Sequence, residues 1–207
     1  MEHIRNINYG LWGEELTPEQ VIQRIVAGGF PIYDDDATWG HKDVALVMWS
    51  IVEGESGGFQ RAWHANVARE EDGSIMRFDM VDPVDGATKI YMRVLSVDLG
   101  FMQLNTAVPG GPKLVEMTET GVKTFIDAMF NTFPAKADPW QSVEIAYNQY
   151  YLQRGFKPWY AYKPGTLEFW NKKRRAALGF ANWYLHSFVG RKHRETDKPL
   201  NFTWSTK

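Results

Sequence analysis

The sequence predicts an α+β fold, mainly helical, with a small antiparallel β-sheet inserted between helices. Three observations carry that expectation. Residues 44–52 (V-A-L-V-M-W-S-I-V) form a helix-length apolar run that ends in Glu53 and Glu55 and then in the turn residues Ser56, Gly57 and Gly58. Between residues 68 and 109 the texture changes to short β-like runs separated by Asp, Pro and Gly. On both flanks lie amphipathic stretches that carry helix start and stop signals.

Taken in order, Thr17-Pro18-Glu19-Gln20 is a helix start, with Thr as N-cap, Pro at the first helical position and Gln closing a capping box. That helix should run to Ala27 and stop at Gly28-Gly29. Phe30-Pro31 then leads into Asp34-Asp35-Asp36, read as a solvated turn, because adjacent carboxylates lack the alternating spacing of a calcium loop. After the central apolar helix come three β-like runs at residues 74–81, 88–95 and 97–104, with Asp82-Pro83-Val84-Asp85-Gly86 as turn chemistry between the first two. Asp79, Asp82 and Asp85 read as part of that turn rather than as a metal loop. Beyond Pro109-Gly110-Gly111-Pro112, residues 118–133 put Val122, Phe125, Ile126, Met129 and Phe130 on one helical face. A further helix begins at Asp138-Pro139 and ends at Gly155, followed by an aromatic turn over residues 156–162 and a last helix over residues 167–189.

Composition narrows the chemistry. With 207 residues, 44% of them hydrophobic, there is material for one packed domain. Cysteine is absent, which excludes disulfides, thiolate zinc sites and cysteine nucleophiles, so chemistry must come from carboxylates, His, Ser, Thr, Tyr or Lys. No basic and apolar leader opens the chain and no run approaches a membrane span, so a soluble protein without a signal peptide is expected. The formal net charge of −2 hides a polarity: residues 1–110 carry 8 Lys and Arg against 17 Asp and Glu, a net −9, and residues 111–207 carry 15 against 8, a net +7. No basic stripe dominates, so nucleic acid is not the expected partner. The clusters Lys172-Lys173-Arg174-Arg175 and Arg191-Lys192-His193-Arg194 read most simply as a solvated face, with docking to an anionic polymer as the alternative.

The central helix supplies the candidate for chemistry. A carboxyl at the exit of a buried helix has apolar wall on one side, and desolvation then raises its pKa toward the range a general acid needs. Glu53 and Glu55 point roughly 200° apart on a helix, so only one can face a cleft. The alternative for both is a solvated helix end, although acidic groups there oppose the helix dipole.

Four short motifs then point to a family. Val97-Asp98-Leu99-Gly100-Phe101-Met102-Gln103-Leu104-Asn105 resembles the D-Y-G-x-x-Q-I-N signature of the lysozyme superfamily, where it lies on a small sheet facing the catalytic Glu. Glu55-Ser56-Gly57-Gly58 is similar to the E-S-G-G that follows the apolar helix in transglycosylase-like lysozymes. Ala146-Tyr147-Asn148 resembles the A-Y-N of soluble lytic transglycosylases, and residues 155–162 (G-F-K-P-W-Y-A-Y) resemble the close of phage tail-associated lysozyme-like domains. The resemblance spans residues 30–162 and implies a lysozyme-like catalytic domain over residues 30–163. Residues 1–29 would then be an N-terminal helical extension, and residues 164–207 a basic C-terminal helix and tail packed on the same domain. The separation of 43 residues between Glu55 and Asp98 is longer than in compact lysozymes.

The resemblance implies a muramidase or lytic transglycosylase that cleaves the β-1,4 bond between N-acetylmuramic acid and N-acetylglucosamine in peptidoglycan. Glu55 would be the general acid. Asp98 would stabilise oxocarbenium charge or act as nucleophile, or be structural if the product is a 1,6-anhydro sugar. Gln103 and Asn105 are implied to grip acetamido groups or brace the sheet, Ser56 to bind substrate, Tyr147 to hydrogen-bond near Glu55 and Trp159 to stack on a sugar face. For Tyr147 and Trp159 the alternative is core packing with the polar tip satisfied. His64 reads as a surface or core histidine before a cleft residue. No metal and no cofactor is implied. Peptidoglycan strands are the expected partner, with other virion or tail proteins, and delivery in a phage virion is the expected setting. The rival expectation is a non-catalytic structural or glycan-binding virion component.

Overall fold

The computed structural model describes residues 3–42 and 44–162. The chain opens with two strands, β1 (His3–Asn6) and β2 (Tyr9–Glu15), before its first helix, α1 (Pro18–Ala27). Helix α2 (Val44–Glu55) leads into β3 (Phe59–Val67), β4 (Arg77–Val81), β5 (Thr88–Leu99), β6 (Leu104–Ala107) and β7 (Lys113–Glu116). The chain then turns helical through α3 (Glu119–Thr132), α4 (Pro134–Ala137) and α5 (Pro139–Ile145). A π-helical segment (Ala146–Tyr151), α6 (Leu152–Arg154) and a 3-10 turn (Tyr160–Tyr162) complete it.

All seven strands join one antiparallel sheet in the order β1-β2-β3-β5-β4, with β6 and β7 also pairing β5. At 12 residues β5 is long enough to pair twice along each edge: β4 then β3 on one side, β7 then β6 on the other. Its two halves are offset by an irregularity between Val94 and Ser96, where Val67 pairs Val94 and Asn66 pairs Ser96. One sheet face is apolar. Trp12, Trp63, Val94, Val97 and Leu99 bury against Val122, Ile126, Met129 and Phe130 of α3, and Trp12 meets Trp63 edge-on at 5.5 Å.

A second apolar cluster surrounds α2. All nine side chains from Val44 to Val52 are buried, so this helix has no solvent face. Val21, Ile22 and Ile25 of α1 share its core, as do Val143, Ala146 and Tyr151. Phe101 and Met102 of the β5–β6 turn and Phe156 and Trp159 of the aromatic turn complete the cover. Elements that begin 100 residues apart in sequence therefore converge on the end of α2.

The local signals act as the sequence predicts at the helix ends. Thr17 and Gln20 form the capping box, Thr118 caps α3, and one oxygen of Asp138 accepts from the N–H groups of Trp140 and Gln141 to start α5. Asp34 accepts from the N–H groups of Asp36 and Thr38, which makes the acidic triplet a turn. The architecture itself corrects the expectation of a mainly helical fold with a small inserted sheet, because a seven-stranded antiparallel sheet draws its strands from residue 3 to residue 116 and is a principal layer of the described residues. Residues 3–15, expected as a helical extension, are two of its strands. β3 and β7 lie outside the expected runs, and the expected runs at 88–95 and 97–104 are largely one strand, β5, ending at Leu99. The physical cause in β3 is period two: Trp63, Ala65 and Val67 are buried while His64 and Asn66 are half-exposed, the pattern of a strand with one wet face. The expected last helix at 167–189, the two basic clusters and the tail lie outside the described residues. Among the described residues no helix is long and apolar enough to cross a membrane.

Gly100 holds the β5–β6 turn in place. It adopts φ +75°, and a Cβ there would come within 2.2 Å of the Lys136 carbonyl oxygen, a backbone atom that cannot swing aside. Gly100→Ala is expected to destabilise the fold by about 3 kcal/mol, measured by urea unfolding.

Candidate active site

Glu55 is the last residue of α2. Apolar residues fill the helix up to Val52, so the carboxyl emerges from a dry wall into a cleft, half-buried, with protein around most of it. Its Oε1 accepts the N–H of Ala161 at 2.7 Å, and the N–H of Tyr160 also faces the carboxylate. Burial raises the Glu55 pKa above the ordinary glutamate value. The Ala161 N–H opposes that rise, the charge of Asp98 adds to it, and the Tyr160 N–H opposes it again. The net direction is upward, which keeps a proton on Glu55 to higher pH.

Asp98 projects from β5, one strand beyond β3. Its Oδ1 accepts Nδ2–H of Asn105 at 2.7 Å, and its Oδ2 accepts Nδ2–H of Asn66 at 3.0 Å and lies 3.4 Å from Nδ1 of His64. Register explains the cluster. Tyr9 lies opposite His64, His64 opposite Asp98, and Asp98 opposite Asn105, so four adjacent strands each contribute one side chain to a single row across the wet face. Asn66 and Ser96 form the next rung, where the Ser96 hydroxyl accepts from both Asn66 and Asn105. Behind the row, Lys136 Nζ donates to the Asn105 carbonyl (2.9 Å) and to the Thr106 hydroxyl (3.0 Å). Burial lowers the pKa of that lysine, and the charge of Asp98 opposes the change.

Glu55 and Asp98 line one cleft of about 110 Å³, and Gln103, Asn105 and Trp159 line it too. Five of the seven expected site residues therefore meet at one place. Gln103, at φ +48°, donates Nε2–H to the Gly100 carbonyl at 2.8 Å, so it braces the turn from the cleft wall. Trp159 is buried and donates Nε1–H to the Met102 carbonyl at 2.9 Å, which ties the aromatic turn to the β5–β6 turn.

Two expected residues are placed elsewhere. Ser56 is fully buried; its hydroxyl donates to the Val52 carbonyl (3.1 Å) and accepts the N–H of Gly58 (3.3 Å), so it closes the helix end and has no face toward the cleft. Tyr147 stacks on Tyr151 with ring centroids 5.8 Å apart and meets Phe30 edge-on at 5.3 Å, packed over Gly29 at the end of α1. The physical reason is the π-helical segment. Its wider turn sets Tyr147 and Tyr151 on the core side and leaves Tyr150, three residues on, to line the cleft.

No family model, no curated protein and no solved structure matches the chain. The site therefore rests on its own geometry. Tyr150, Tyr160, Asn8, Asn66 and Lys136 have no counterpart in the sequence reading, and His64, read there first as a surface or core histidine, stands beside Asp98 in the polar row. For His64 and Asn66 a signal existed in the alternation W-H-A-N-V of residues 63–67; for Tyr150 none did, because a π turn has no sequence mark of its own.

The raised pKa of Glu55 links the site to stability. A carboxyl that holds its proton more tightly in the folded state favours folding below the ordinary glutamate range, and that advantage is lost as pH rises through the folded value, leaving a partly desolvated anion. Glu55→Gln keeps an acceptor for the Ala161 N–H and removes the anion. Its Tm should exceed that of the wild type at about pH 7.5, and the gap should close as pH falls to about 4, measured by thermal scans across pH.

Proposed function

We propose that the protein cleaves a glycosidic bond in peptidoglycan, between N-acetylmuramic acid and N-acetylglucosamine, with Glu55 as the proton donor. The observation that carries this reading is convergence: Glu55 from α2, Asp98, Gln103 and Asn105 from the β5–β6 hairpin, and Trp159 from the aromatic turn come from three distant motifs and line one cleft. A half-dry carboxyl with a raised pKa is suited to protonate a leaving oxygen near neutral pH. Once that proton has gone, the N–H groups of Ala161 and Tyr160 are already aimed at the carboxylate and stabilise it without rearrangement.

Asp98 faces the same space as a second carboxylate whose three side-chain partners are all arranged as donors. Its charge is suited to steady the oxocarbenium character that develops as the bond breaks. Tyr150 and the exposed Tyr160 offer ring faces and edges along the wall for the apolar sides of sugar rings. Trp159, buried with its N–H on the Met102 carbonyl, backs the wall as a packed core ring in place of the sugar platform the motif implied. Delivery in a virion, with other virion or tail proteins as partners, belongs to the same proposal and rests on the motif resemblance alone.

The test uses purified peptidoglycan. Wild-type protein should lower turbidity and release soluble muropeptides, and Glu55→Gln should lower that rate by about a hundredfold or more while remaining folded. Equal inertness of the two proteins, with binding to the glycan retained, would establish the non-catalytic glycan-binding reading instead.

A further inference from the structure

The wet row on the sheet contains one more chain of contacts, running from Asn8 through His64 to Asp98. Asn8 is buried. Its Nδ2 lies 3.3 Å from the Ala65 carbonyl and 3.3 Å from Nε2 of His64. A carbonyl oxygen can only accept, so the amide nitrogen of Asn8 must be the atom that faces it, and its second hydrogen is then directed at the histidine ring. Nε2 of His64 must accept that hydrogen. The ring proton therefore sits on Nδ1, and Nδ1 is the nitrogen 3.4 Å from Oδ2 of Asp98. Two separate neighbours, an amide on one side and a carboxylate on the other, demand the same tautomer. Tyr9 meets the ring edge-on at 6.3 Å and limits its rotation.

We infer that His64, fixed by Asn8 as its Nδ1–H tautomer, is a positioning residue that holds the Asp98 carboxylate toward the cleft. This inference rests on the proposed cleavage function for its kinetic consequence, but the ring geometry stands apart from it. Asn66 and Asn105 also donate to Asp98, and both are amides at half-exposed or exposed positions. Both of those amides are braced on the exposed side by the Ser96 hydroxyl, whereas His64 is anchored on its far side to the buried Asn8, so it adds a third point tied to the interior. Three donors, two from β3 and one from β6, flank Asp98 on both edges of β5 and leave it little freedom to swing out of the row.

The experiment has a spectroscopic arm and a kinetic arm, both on the full chain. Two-bond proton–nitrogen correlations in protein labelled with 15N-histidine report the tautomer, and His64 is assigned by the signal that disappears in His64→Asn. The expected result is a neutral Nδ1–H ring. On soluble glycan strands, His64→Ala should lower kcat about tenfold or more with KM within about twofold. His64→Asn places an amide N–H near the position of Nδ1 and should recover most of that loss, which a merely structural role would not predict. An Nε2–H ring, or equal loss in the folded His64→Ala and His64→Asn proteins, would overturn the inference. If wild-type protein cleaves nothing, the proposed function falls, and the tautomer alone decides the His64 assignment.

Discussion

A helix without a solvent face must be covered from every direction, and the requirements of α2 arrange most of what surrounds it. Its nine buried side chains from Val44 to Val52 present far more apolar surface than one neighbour can cover. The cover comes from α1, from the π segment, from Phe101 and Met102 and from Phe156 and Trp159. Three of those four groups belong to segments that also contribute to the cleft. Hydrophobic burial along the helix is therefore the force that draws the β5–β6 turn and the aromatic turn to its C-terminal end, where Glu55 emerges. Polar contacts then fix the details, through Trp159 to the Met102 carbonyl and Ala161 to Glu55.

The sheet supplies the opposite kind of environment. Its buried face packs on α3 and its other face carries a polar row in which every member has a hydrogen-bonding or ring neighbour. Antiparallel register sets the row, because residues directly opposite one another on neighbouring strands stand side by side. A shift of one residue in β3 would bring Trp63 or Ala65 opposite Asp98 and turn His64 into the core. Glu55 thus sits in a setting that favours its neutral form, and Asp98 in one built from donors, a few residues of wall apart. Two carboxyls given unlike surroundings can take unlike parts in one reaction.

How much of this was legible in the sequence divides along physical lines. Local rules were readable: the Thr17 and Asp138 caps, the Gly155 stop and the apolar run of α2 all depend on near neighbours. The five residues that line the cleft together could be picked out because their motifs are short and contiguous. The size of the sheet was not, since β1 is only four residues long, β2 and β7 pair with strands far away along the chain, and β3 follows so closely on the Glu55 turn that its alternation is easily absorbed into it. Tyr147 and Ser56 went astray for different reasons. One is turned by a π-helical widening that no residue type announces, and the other spends its hydroxyl on the helix end it follows.

The donors that face Glu55 lie at Tyr160 and Ala161, in the final turn of the described chain, and that turn is moored by the Tyr162 hydroxyl, 2.8 Å from a ring nitrogen of His41. Displacing this turn would take both N–H groups away from the Glu55 carboxyl. The proton affinity of the acid thus depends on how this one turn is seated, and a side chain outside the cleft lining, His41, helps to set it.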